Sequence, residues 1–141
     1  ISDCMVLQRD VDLEVFKNKT IMKAVLYAMM ATFFHTACGS SYISVDAGKF
    51  AEAISDPKVQ IVDARTPQEF IEGHIPGAVN IDINSKDFIR QAASLDKTRP
   101  VAVYCRSGRR SKVAAEKLTD NGFSVTELDG GIISWKGELT K

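Results

Sequence analysis

From Tyr42 onward the chain reads as an α/β domain, a parallel sheet covered by helices on both faces, and three observations predict it. Short apolar runs alternate with segments patterned at helical spacing. The run Val101-Ala102-Val103-Tyr104 is apolar throughout, as a strand buried on both faces has to be. Breakers stand before strand candidates, Asp56-Pro57 before one and Arg99-Pro100 before another.

Tyr42 to Val45 reads as the first strand. Asp46 then caps a helix that carries Ala47, Phe50 and Ile54 on one face. Val59 to Asp63 is the second strand, and Ala78 to Ile81, after a turn bounded by Gly and Pro, is the third. Asn84 or Ser85 opens a helix bearing Phe88, Ile89, Ala92 and Leu95. The fourth strand, Val101 to Tyr104, runs through a short loop into a helix that starts at Ser111, carries Val113, Ala114 and Leu118, and ends on Gly122. Ser124 to Leu128 is the fifth strand. No internal repeat or low-complexity tract interrupts the pattern.

At 141 residues and 45% hydrophobic content, the chain suits one compact domain with one core. Eighteen basic residues balance eighteen acidic ones, and residues 41–141 balance as well, with eight Lys and six Arg against eight Asp and six Glu. A nucleic-acid binder needs a basic face, so nucleic acid is excluded as a partner. Three cysteines, Cys4, Cys38 and Cys105, match no zinc spacing and are too few for a disulfide framework.

The first forty residues differ in character. Met22-Lys23 leads into an apolar run, Ala24 to Phe34, followed by His35-Thr36-Ala37-Cys38 and the small residues Gly39-Ser40-Ser41. That run is short for a bilayer span and the right size for the apolar region of a signal peptide. Its apolar residues cover all faces, which suits a membrane-directed segment better than a helix packed on a domain. With Met22 as the start, residues 1–21 are upstream sequence, 22–38 a signal peptide and 42–139 the folded domain. Thr-Ala-Cys resembles the lipobox of bacterial lipoproteins, with Cys38 the lipidated residue, although His35 departs from the aliphatic residue usual three places before the cysteine. The expected location is the cell envelope on the periplasmic side, with membrane contact only through that lipid. The alternative is the cytoplasm.

The loop Cys105-Arg106-Ser107-Gly108-Arg109-Arg110-Ser111 joins a buried strand directly to a helix N-terminus. Free N–H groups and the positive end of the helix dipole point into such a loop, and three arginines add positive charge around the sulfur. Each favours the thiolate, the nucleophilic form, and the same donors would hold an anion. A purely structural cysteine has no need of three arginines around it. Ligands in such sheets bind at the carboxyl ends of strands, so Asp63 and Arg65, at the end of the second strand, share a crevice with Cys105. They form a structural ion pair or position substrate, the former being the more common role of charges at strand ends. His74, the one histidine of the domain, sits in a turn, where a structural hydrogen bond outweighs service as a base for Cys105.

Four segments stand in order, Asp63-Ala64-Arg65-Thr66-Pro67-Gln68-Glu69-Phe70, Gly73-His74-Ile75-Pro76-Gly77-Ala78-Val79-Asn80, Tyr104-Cys105-Arg106-Ser107-Gly108-Arg109-Arg110-Ser111, and Leu128-Asp129-Gly130-Gly131-Ile132 with Trp135. Together they resemble a single-domain rhodanese, a thiosulfate sulfurtransferase. The resemblance implies a five-stranded parallel sheet with the active-site loop after the fourth strand. It also implies a mechanism in which Cys105 takes the outer sulfur of an anionic donor such as thiosulfate, and a thiol, cyanide or a protein then accepts it. Loop N–H groups from Arg106 to Ser111 would stabilise the persulfide, and Arg106, Arg109 and Arg110 would draw the donor in. No metal or organic cofactor is implied.

Three rivals follow from the same resemblance. Phosphatases on this fold carry a longer loop with an arginine six positions after the cysteine, where this chain has Ser111. Inactive binding modules of this fold typically lack the cysteine, which is present here. A persulfide carrier, handing sulfur to a partner protein, needs the same loop and stays open.

Overall fold

The structure, a computed structural model, describes residues 41–141. The apolar run at Ala24 to Phe34, the candidate lipidation site Cys38 and the segments 1–21 and 22–38 lie outside the described residues. Five strands, β1 (Ile43–Val45), β2 (Gln60–Asp63), β3 (Val79–Asn80), β4 (Val101–Tyr104) and β5 (Val125–Leu128), alternate with helices. The helices are α1 (Ala47–Ile54), α2 (Pro67–Glu72), α3 (Phe88–Ala92), α4 (Arg109–Asp120) and α5 (Gly131–Ser134). The sheet order is β1-β5-β4-β2-β3, and every pairing is parallel. All five expected strands are present, the third trimmed to two residues.

Alternation along the central strand sorts the core into two layers. Val101 and Val103 join Val62 and Val125 beneath α3 and α4, against Phe88, Ala92, Ala114, Ala115 and Leu118. Ala102 and Tyr104 point the other way, into a cluster with Phe50 of α1 and Leu128. Phe50 meets Tyr104 and Trp135 edge-to-face, with ring centroids 6.5 and 6.1 Å apart. Such pairs add roughly 0.5–1.5 kcal/mol each beyond the area they bury. Tyr104 lies so deep that burial pushes its hydroxyl pKa far up, and its oxygen accepts the Ile75 N–H at 3.0 Å.

Asp46 caps α1 as expected, accepting the Lys49 N–H at 3.0 Å. Helix α4 departs from expectation by starting at Arg109 rather than Ser111. Gly108, at φ 92°, turns the chain sharply enough to begin the helix two residues early. Its buried stripe is Ser111, Ala114, Ala115 and Leu118, while Val113, expected in the core, is 45% exposed. Spacing explains the difference, since 111, 114, 115 and 118 form one i, i+3, i+4, i+7 face and 113 falls off it. Helix α3 begins at Phe88, because Ser85 forms a turn ahead of it, its carbonyl accepting the Phe88 N–H and its Oγ the Asp87 N–H. Ile89 of α3 is turned partly to solvent.

Helix α2 was not among the expected elements. Thr66 and Glu69 form a reciprocal capping box, with Pro67 in the first turn. The Thr-Pro-Gln-Glu signature is legible in the sequence, but six residues are too few to show a helical period.

Candidate active site

Strands β2 and β4 are adjacent, with Asp63 in register with Tyr104, so their carboxyl ends emerge side by side. Ala64 N–H donates to the Tyr104 carbonyl at 2.8 Å, extending the pairing one step past the strands. The residues that follow, Arg65 and Cys105, therefore leave the same end of the sheet, Arg65 on the Tyr104 side and Cys105 in the opposite layer.

Cys105 is 1% exposed and packs in the layer beneath α3 and α4. It is a free thiol, and the Gly108 N–H points at its Sγ from 3.2 Å. The left-handed turn at Gly108 swings that N–H back over the sulfur, and a Cβ there would also come within 3.1 Å of the Gly130 amide nitrogen. An anion formed on the sulfur thus meets a fixed donor whose orientation needs no rearrangement.

The opening of the loop is held from below by α5. Ile132 N–H donates to the Cys105 carbonyl at 2.8 Å and Ile133 N–H to the Arg106 carbonyl at 3.2 Å. Gly131, at φ 61°, lets the two backbones touch. A Cβ on it would lie 2.5 Å from the Arg106 carbonyl carbon and oxygen and 2.6 Å from the Ser107 nitrogen. The Gly130-Gly131 pair, which stands in the fourth of the matching segments but was given no role there, is thus part of the site.

The three arginines divide. Arg106 and Arg109 are exposed at the mouth of the loop. Arg110 forks onto Glu69 of α2, with Nη1–Oε2 at 2.7 Å and Nη2–Oε1 at 2.8 Å. That hydrogen-bonded pairing pulls the Glu69 carboxyl down to about 2, and it raises the Arg110 pKa, to which the neighbouring Cys105 adds. Arg110 thus ties the loop to α2, and its fork is taken up by a carboxylate instead of standing open for a donor.

Because Glu69 has a lower pKa folded than unfolded, the pair stabilises the fold above about pH 4.5 and loses that contribution as the pH falls toward 2. With both side chains about one-quarter exposed, solvent screening leaves it about 1 kcal/mol. Arg110→Ala is expected to be less stable than the parent by that amount at neutral pH, with the gap closing between pH 4.5 and 2 in urea titrations. A gap independent of pH would show that the pairing is not its source.

Asp63 and Arg65 form the buried ion pair that the sequence suggested. Both Asp63 oxygens accept from the Arg65 guanidinium, the shortest contact being 2.6 Å, and Oδ1 also takes the Arg65 backbone N–H. Arg65 spends its remaining reach on the Gly73 carbonyl at 2.7 Å, and its guanidinium lies over the Tyr104 ring. Its work is to fix the β2 exit and the turn before β3. His74 stacks on Phe70, its Nδ1 lies 3.0 Å from the Phe70 carbonyl, and its backbone pairs with Thr140. Ser107 is exposed beside the two free arginines, whereas Ser111 is fully buried, its hydroxyl turned toward β5 and 2.6 Å from Glu127. Glu127 itself was missed by the sequence reading; a charged residue inside an otherwise buried strand was the signal. Among the described residues, no group of His, Cys, Asp and Glu side chains could hold a metal ion.

Comparison with known proteins gives a consistent result. The model of the rhodanese-like domain family matches residues 46–138. Thiosulfate sulfurtransferase GlpE of Shewanella oneidensis is 39% identical over 98 residues, 68% of this chain and 94% of that protein. Its namesake in Pseudomonas syringae is 41% identical over 88 residues, 61% of this chain and 80% of the relative. Among solved structures, a rhodanese-related protein of Thermoplasma volcanium superposes with a TM-score of 0.63 at 30% identity, covering 70% of this chain and 98% of that one.

Proposed function

This chain belongs to the rhodanese-like domain family, and from that premise we propose that it is a sulfurtransferase working through a persulfide on Cys105. The observation that carries the proposal is the loop itself, a cysteine at the end of the central strand with the Gly108 amide aimed at its sulfur and two exposed arginines at the mouth. Thiosulfate is the donor favoured by the cationic mouth and by the names of the GlpE relatives. The Cys105 thiolate attacks the outer sulfur, the new S–S bond forms as the old one breaks, and the electron pair leaves on sulfite. The persulfide keeps its negative charge, where the Gly108 N–H and the start of α4 support it. A thiophile such as cyanide or a thiol then takes the outer sulfur and returns the thiolate.

Protein incubated with thiosulfate is expected to gain one sulfur atom, mapped by mass spectrometry to the Cys105 peptide and lost again on adding cyanide. No mass gain at Cys105 would sink the reading. The phosphatase alternative finds no support in the loop, since the side chain six positions after the cysteine is the buried Ser111 rather than a cation. Arg109→Ala is expected to raise the KM for thiosulfate roughly 5-fold, the value of an exposed charge contact of about 1 kcal/mol, with kcat nearly unchanged. Steady-state kinetics in which kcat falls and KM holds would place Arg109 in the chemical step instead.

A further inference from the structure

Glu127 is the most unexpected residue near the site. It lies in β5, fully buried, and none of the ion pairs among the described residues includes it. Its carboxyl is held by two hydroxyls instead. Ser44 of β1 donates to Oε2 and Ser111 of α4 donates to Oε1, each at 2.6 Å. A buried carboxyl held by two hydroxyls is costly compared with an apolar residue of the same size, so its retention in the core calls for a reason.

The loop supplies one. The single Ser111 hydroxyl proton is shared between Glu127 Oε1 at 2.6 Å and, more weakly, the Gly108 carbonyl at 3.1 Å, and the Gly108 N–H is the donor aimed at the Cys105 sulfur. Glu127, Ser111, Gly108 and Cys105 therefore form one chain of contacts from the middle of the sheet to the reacting atom. The other end of the loop is gripped by Ile132 and Ile133, a few residues further along the same segment. Residues 127–133 thus hold the loop at both ends, with a carboxylate at the helix side and two backbone amides at the strand side.

We propose that Glu127 is a positioning residue for sulfur transfer, its carboxyl seating Ser111 so that Gly108 directs its N–H at the sulfur of Cys105. It touches neither donor nor acceptor. The proposal rests on the sulfurtransferase reading only for its turnover arm, because the seating of Gly108 over the sulfur is also readable without any sulfur donor. The comparison of the two serines isolates the effect. Both bond the same carboxyl at the same distance, but only Ser111 leads to the loop.

The test measures the rate of Cys105 alkylation by iodoacetamide, followed on the Cys105 peptide by mass spectrometry, beside thiosulfate:cyanide turnover and thermal melting. Glu127→Ala and Ser111→Ala are each expected to slow alkylation and kcat on the order of 10-fold, the scale of a small misplacement of a reacting group, with KM for thiosulfate held within about 2-fold. The double variant should be no slower than either single one, because both break the same link. Glu127→Gln, which can still hold the Ser111 hydroxyl through either end of its amide, is expected to recover most of the rate. Ser44→Ala should melt earlier than the parent and yet alkylate at the parental rate.

If Glu127→Ala does not fold, Ser111→Ala against Ser44→Ala decides the matter. Equal slowing in the two serine variants, or parental alkylation and kcat in Ser111→Ala, overturns the proposal. Should the parent form no persulfide at all, the sulfurtransferase reading fails while the alkylation comparison still judges Glu127.

Discussion

Cys105→Ala is expected to reduce thiocyanate formation from thiosulfate and cyanide to the uncatalysed background, a loss on the order of 10⁴-fold or more. No other group among the described site residues is a thiol, and alanine leaves Gly108 with nothing to accept its N–H. The fold should survive, since the change removes one buried sulfur at a cost of about 1 kcal/mol. Cys105→Ser is the sharper control, because it keeps an acceptor for the Gly108 N–H while an oxygen cannot carry the sulfane sulfur. Catalysis persisting in either variant would remove Cys105 from the mechanism. Loss of catalysis together with loss of the cooperative melt in both would mean only that the core had failed, which circular dichroism separates.

Gly131→Ala is the second change expected to have a large effect, although the residue carries no functional group. Its added methyl would sit 2.5 Å from the Arg106 carbonyl and 2.6 Å from the Ser107 nitrogen, both backbone and unable to swing aside as a side chain would. Left-handed backbone at φ 61° adds about 1–2 kcal/mol for a residue with a Cβ, and the overlap about 1–3 kcal/mol more. The chain can relieve the clash only by lifting Cys105-Arg106-Ser107 off the amides of Ile132 and Ile133. The variant is therefore expected to lose on the order of 100-fold in kcat and to melt several degrees lower. Gly122→Ala, with open space where its Cβ would go, is the matched control, sharing the positive φ but not the contact. It should be less stable and yet catalyse normally. Normal activity in Gly131→Ala would show that the loop does not depend on that contact.

The sheet was legible because its strands are short runs alternating with helical patterns, two of them set off by an upstream Pro, and β4 carried the clearest mark in being apolar on all four residues. What the sequence could not display was which direction each loop side chain takes. Arg106, Arg109 and Arg110 look alike as a list, and only the placement of α2 beside the loop separates Arg110, committed to Glu69, from the two at the mouth. Glu69 and Arg110 are forty-one positions apart, beyond the reach of any local pattern. Ser111 is similar: the residue that reads as the start of a helix turns out to be part of its buried stripe, because Gly108 begins the helix two positions sooner. Asp63 and Arg65 were within reach, being two residues apart at a strand end where charges commonly anchor turns, and the structure pairs them rather than leaving either open to a substrate.

Tyr104 and Cys105 are consecutive, yet one belongs to the layer under α1 and the other to the layer under α4. The nucleophile is thus a member of the core as well as of the site, packed with Val103 and Ala114 and held by the same sheet that holds the domain. Such a residue has no local unfolding of its own to report. Warming the protein should raise the alkylation rate of Cys105 only smoothly, as it does for any activated reaction, with a sharp upward break at the melting transition, where the thiol and the fold are released together in a single step.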